Sequence, residues 1–126
     1  NLGHTFGHAV ETALGYGQVL HGEAVAMGMC LAADLSVRLG WLTSSDLLRI
    51  QQLLIRAHLP VEPPFSMNPD RYLEHMAVDK KNIEGQLRFI LLRSIGQATL
   101  PMSVGIEDLM ATLEGYTGQI EIGSAI

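Results

Sequence analysis

Cysteine is nearly absent from this 126-residue chain, which holds Cys30 alone. That excludes an internal disulfide and suits a reducing compartment, so a cytoplasmic setting is expected. Basic clusters are missing too: Lys and Arg number 8 against 13 Asp and Glu, the formal net charge is -5, and the few cations are scattered. Nucleic acid is not expected as a partner, because phosphate backbones are met by grouped Lys and Arg. The apolar run from Ala24 to Ala33 is closed by Asp34, well short of the ~20 residues that span a bilayer. No signal peptide, anchor, repeat or low-complexity stretch is visible, so no membrane association is expected. The chain also lacks an initiator methionine and opens with Asn1 directly against a histidine motif, which makes it read as a piece of a longer protein.

What is present suffices for one domain. With 48% hydrophobic residues over 126 positions, the chain can bury a real core and is too short for two. Three of its five histidines fall in Asn1-Leu-Gly-His4-Thr-Phe-Gly7-His8-Ala-Val-Glu11 and Leu20-His21-Gly22-Glu23. On a helix, His4 and His8 stand at i and i+4 on one face. Gly3 and Gly7 each cost a helix about 1 kcal/mol relative to Ala, which suggests that something approaches the backbone closely there. After a Gly15-Tyr16-Gly17 turn, His21 and Glu23 offer a further imidazole and a carboxylate, so a metal or anion site is expected. Solvated or packed histidines are the alternative. A zinc peptidase is disfavoured, because His-Glu-x-x-His would need Glu where Thr5 stands. A non-enzymatic helical binding module with structural histidines is the competing class.

The elements read as mainly α with one small β-hairpin. A first helix is expected from Leu2 to Leu14, ended by Gly15 and Gly17. A second, from Gly22 to Leu39, is apolar on almost every side and therefore central, with a buried and inert Cys30. Its small residues Ala24, Ala26, Gly28, Ala32 and Ala33 would let neighbours pack close. Thr43 to Asp46 resembles a capping arrangement for a third helix carrying Leu47, Ile50, Leu54 and Ala57. Leu59 to Phe65 holds three prolines and reads as an extended linker. Asn68 and Pro69 then restart a helix. Leu87 to Leu92 is the strand candidate, returning along Ala98 to Leu100 across Ser94-Ile-Gly96. A last helix fits Ile106 to Leu113, with Glu107 and Asp108 at its positive end, and the tail 116–126 reads as loosely ordered.

Three separated blocks carry a resemblance: Asn1 to Glu11, then Leu20-His21-Gly22-Glu23-Ala-Val-Ala26-Met-Gly28-Met, then Asp79-Lys80-Lys81-Asn82. Together they resemble the C-terminal domain of the 3-dehydroquinate synthase family, over nearly the whole chain. The resemblance implies that residues 1–126 form a metal- and substrate-binding helical domain, whose N-terminal nucleotide-binding domain is absent from this chain. It implies a shikimate-pathway lyase converting 3-deoxy-D-arabino-heptulosonate 7-phosphate to 3-dehydroquinate and phosphate. The expected cofactors are NAD, held mainly by the missing domain, and a divalent metal, Zn2+ first and Co2+ second. The expected partners are the sugar phosphate, the N-terminal domain and, at full length, a second copy in a homodimer.

Carried over residue by residue, His4 and His21 match the two histidine ligands of the metal. His8 matches the histidine that faces the substrate phosphate and is implicated in proton transfer. Asn1 matches the asparagine that hydrogen-bonds the phosphoryl group, and one of Lys80 and Lys81 a substrate-binding lysine. The family's third ligand, a glutamate, lies upstream of this chain, so the chain alone is expected to be inactive. A related sugar-phosphate cyclase or a metal-dependent polyol dehydrogenase is the alternative within the superfamily. Glu11 and Glu23 are expected behind the site or at the surface, with Glu23 able to orient the His21 ring. His58, at a helix end, and His75, on a helix face, are not expected to be ligands.

Overall fold

The run of small and apolar residues that begins at Ala24 becomes the packing centre of the chain. The computed structural model describes residues 2–15, 19–62, 67–80 and 87–125, with side chains as far as 76 in the third stretch and 115 in the fourth. There the run lies in α2 (His21–Arg38), of whose 18 residues ten are buried. Around it stand α1 (His4–Leu14), α3 (Ser44–Arg56), α4 (Pro69–Lys80), the strands β1 (Leu92–Ser94) and β2 (Gln97–Ala98), and α5 (Ile106–Ala125). Helix α2 touches α1, α3, α5 and β1, while α4 packs on α1 and α5. Among the described residues the fold is mainly helical with one antiparallel hairpin, as the sequence pattern predicts. Among the described residues, no helix is long and apolar enough to cross a membrane.

The core gathers Phe6 and Val10 from α1, Leu31 and Leu35 from α2, Tyr72 and Met76 from α4, and Leu113 from α5. Phe6 meets Tyr72 edge-on at 6.5 Å between centroids and Phe89 at 5.1 Å with a 35° tilt, both favoured arrangements of aromatic quadrupoles. Cys30 is fully buried in this core, and burial, aided by the charge of Glu62, pushes its thiol up to about 12. The thiol is inert at neutral pH, as expected.

Helices α1 and α2 touch backbone to backbone. A Cβ on Gly3, whose φ is 78°, would lie 2.5 Å from the Met29 amide nitrogen; one on Gly7 would lie 2.9 Å from the Ala24 carbonyl oxygen; one on Gly28 would collide with the Gly3 carbonyl. The group that approaches Gly3 and Gly7 is thus a second helix of the same chain.

Caps fix where the helices begin. The Thr43 hydroxyl accepts from the Asp46 amide, and the Asp46 carboxylate accepts from the Thr43 amide, both at 3.0 Å. Asn68 caps α4 by accepting from the Arg71 amide at 2.9 Å, and the Arg71 guanidinium donates to the Ala13 carbonyl at 2.6 Å, tying α4 to the end of α1.

Two elements differ from expectation. The hairpin pairs only Leu92 to Ser94 with Gln97 and Ala98, with an isolated bridge from Phe89 to Met102. Side chains take up two of the amides here: the Leu91 amide donates to the Thr99 hydroxyl and the Leu92 amide to the Ser36 hydroxyl, each at 3.0 Å. The last helix runs on to Ala125, where the sequence suggested a loose tail. Within it, the missing side chain of Gly115 leaves room for Arg38, whose Nη2 would lie 2.8 Å from an added Cβ. The linker expected from Leu59 to Phe65 and the tail residue Ile126 lie partly or wholly outside the described residues.

Candidate metal and substrate site

Along α1, His4, His8 and Glu11 fall at i, i+4 and i+7 and therefore share one stripe. His4 is exposed and His8 half-buried, and their rings lie 5.6 Å apart with planes within 6° of parallel. The opposite side of the helix is committed to the core through Phe6, Ala9 and Val10. Thr5 pins the first turn, its hydroxyl donating to the Arg88 carbonyl at 2.8 Å. An anchor 83 positions away leaves no local signal in the sequence around Thr5.

His21 opens α2 and comes back to this stripe. Its Nδ1 lies 3.1 Å from Oε1 of Glu11; the His21 side chain is 70% exposed and that of Glu11 only 13%. By its nearness in sequence, Glu23 is able to orient this ring. In the structure the Glu23 carboxylate instead accepts from the Leu20 amide at 3.0 Å. At the third position of the helix a glutamate naturally reaches back to the free amide at the cap, and this leaves His21 to Glu11. The signal for Glu11 was present as its place in the stripe with His4 and His8.

A neutral imidazole whose Nδ1–H donates to a carboxylate leaves the Nε2 lone pair to bind a metal, the usual outer arrangement of a metal-bound histidine. Among the described residues, no group of three or more His, Cys, Asp or Glu is gathered closely enough to hold a metal. Two imidazoles backed by a carboxylate therefore fit a divalent metal in part, as a set that needs ligands from outside the described residues. Asn1 and Lys81 lie outside the described residues, as does the side chain of Lys80. His58 sits just past α3 with φ 64°, and His75 is half-buried on α4.

Residues 1–82 match the family model described as 3-dehydroquinate synthase C-terminal. The chain is 62% identical over 116 residues to a 3-dehydroquinate synthase of Methylococcus capsulatus, covering 92% of this chain and 32% of that protein. It is 56% identical over 117 residues to one of Nitrosococcus oceani, covering 93% and 33%. It thus spans about a third of the length of the curated relatives it matches. Among solved structures it is similar to a 2-epi-5-epi-valiolone synthase of Streptomyces hygroscopicus subsp. jinggangensis 5008 with NAD+ and Zn2+ bound, at TM-score 0.80 and 32% identity over 94% of this chain and 32% of that one. A 2-deoxy-scyllo-inosose synthase complexed with carbaglucose-6-phosphate, NAD+ and Co2+ follows at TM-score 0.77 and 27% identity, covering 90% and 34%.

Proposed function

Because this chain belongs to the 3-dehydroquinate synthase C-terminal family, we propose that it is the metal- and substrate-binding domain of a phosphate-eliminating lyase. The full-length enzyme converts 3-deoxy-D-arabino-heptulosonate 7-phosphate to 3-dehydroquinate and inorganic phosphate, a step towards aromatic amino acids. The observation that carries this reading is the stripe of His4, His8 and Glu11 with His21 drawn onto it. A nucleotide-binding domain ahead of Asn1 supplies the third metal ligand and most of the NAD site. The chain alone is inactive, and the full-length protein acts as a cytoplasmic homodimer.

NAD+ with Zn2+ or Co2+ in the similar structures supports the same pair of cofactors here. When bound, the metal polarises substrate oxygens and NAD takes and returns a hydride. The residues of this chain do the rest. His4 and His21 offer imidazole nitrogens to the metal. His8, beside His4, holds or passes a proton and faces the substrate phosphate. The Asn1 amide hydrogen-bonds the phosphoryl oxygens, and the ammonium of Lys80 or Lys81 offsets their charge.

A sugar-phosphate cyclase with another substrate is the second reading, favoured by the two solved structures. The 62% identity to a 3-dehydroquinate synthase, against 32% and 27% to those cyclases, puts it second. A polyol dehydrogenase has no use for the phosphate-binding Asn1 and lysine. Phosphate release by the full-length protein with NAD and Zn2+ tests the choice. Release from the heptulosonate 7-phosphate and none from a hexose 6-phosphate is expected, and the reverse would align it with the 2-deoxy-scyllo-inosose synthase.

A further inference from the structure

We infer that Glu11 is the positioning residue for His21: its carboxylate holds the imidazole as the Nδ1–H tautomer and directs the bare Nε2 lone pair outward as the metal-binding atom. The inference rests on the proposed role of His21 as a metal ligand and adds the residue that makes it one.

A neutral imidazole carries its proton on one nitrogen or the other, and the partner of one nitrogen decides the state of the second. An ionised carboxylate only accepts. At 3.1 Å from Glu11 Oε1, within hydrogen-bonding range, His21 Nδ1 must be the donor, which leaves the Nε2 lone pair bare. The asymmetry of exposure, 13% for the Glu11 side chain against 70% for His21, says which partner is fixed. Glu11 sits on a helix locked from behind by Phe6 and Val10 and by the close contact of Gly7 with Ala24. His21 is the first residue of α2, with a ring that would otherwise sweep through solvent. Glu23, the other carboxylate near it in sequence, is engaged at the Leu20 amide. The bond also crosses from α1 to α2, so it sets the position of the His21 nitrogen relative to the His4 and His8 stripe.

Long-range proton–nitrogen correlation spectra of the chain, labelled with 15N at histidine and held at a pH where imidazole is neutral, read the tautomer directly. The expected result is Nδ1–H for His21 in the wild type, retained in Glu11→Gln, whose side-chain carbonyl still accepts, and lost to a tautomer mixture in Glu11→Ala. A wild-type His21 protonated on Nε2 overturns the inference without need of any variant, as does a tautomer indifferent to Glu11→Ala. The second arm takes the full-length protein and Zn2+ alone, competed against a chelator. Glu11→Ala should weaken binding about 10- to 100-fold, with Glu11→Gln close to wild type. Binding that is unchanged by His21→Ala would overturn the ligand assignment itself, whatever the tautomer does; binding that needs His21 and ignores Glu11→Ala would overturn only the positioning role.

Discussion

Gly28 is the residue at which one added carbon should do most harm. A Cβ there meets the Gly3 carbonyl and, at 2.7 Å, the Gly7 amide nitrogen; both are backbone atoms, so no rotamer can yield and the helices must part. Gly28→Ala should therefore destabilise by about 3 kcal/mol, the upper end of overpacking costs. Gly22, also in α2, has nothing within 4 Å of an added Cβ, and Gly22→Ala should stabilise by about 0.5 kcal/mol. Urea midpoints moving in opposite directions would bear this out. The sequence flagged Gly3 and Gly7 as points of close approach, but not what approaches, because the crossing of α1 over α2 is a tertiary fact. Cys30 supplies the pH dependence. The folded thiol keeps its proton up to about 12, whereas its ordinary value is 9.0, so between those values the unfolded state binds fewer protons and stability falls as pH rises. The loss is at most about 1.4 kcal/mol per pH unit. Burial also raises the Tyr72 phenol from its ordinary 10.0, which steepens the fall at higher pH. In urea melts at pH 7.5, 9 and 10, Cys30→Ala should show a shallower decline than wild type.

Among the elements, the ends of α2 and α3 are built alike. After α2, the Gly40 amide donates to Val37 and the Trp41 amide to Ser36; after α3, the His58 amide donates to Ile55 and the Leu59 amide to Leu54. Both are Schellman closures, which place one residue in the left-handed region. Gly40 takes that conformation with φ 85°, and His58 takes it with φ 64°. A side chain there costs roughly 1 kcal/mol that glycine avoids, so His58→Gly should stabilise the chain by about that amount in thermal or urea melts. A destabilisation would mean that the His58 side chain makes a compensating contact. The sequence placed His58 at a helix end without revealing that it closes the turn. It did reveal the capping pairs at Thr43 with Asp46 and at Asn68, because these act over three residues. It did not reveal that the Leu92 amide is held by the Ser36 hydroxyl, 56 positions earlier in the chain.

At the scale of the whole molecule, the spacing of His4 and His8 on a helix was legible in the sequence, and the structure brings their rings to 5.6 Å. The pairing of Glu11 with His21 was not, since it depends on how α2 returns to α1. Two pairings of ligands thus compete for the metal: His4 with His8, from helical spacing, or His4 with His21, from the family. The second is the pairing proposed here. The direct measurement is metal content and turnover of the full-length protein with His4→Ala, His8→Ala and His21→Ala introduced singly. Loss of metal and activity together is predicted for His4→Ala and His21→Ala, because the donor and the grip on the substrate vanish at once. His8→Ala should keep its metal while turnover falls ~10²-fold or more, as for a positioned acid-base group. A His8→Ala protein without metal, beside a His21→Ala protein that retains it, would contradict the account.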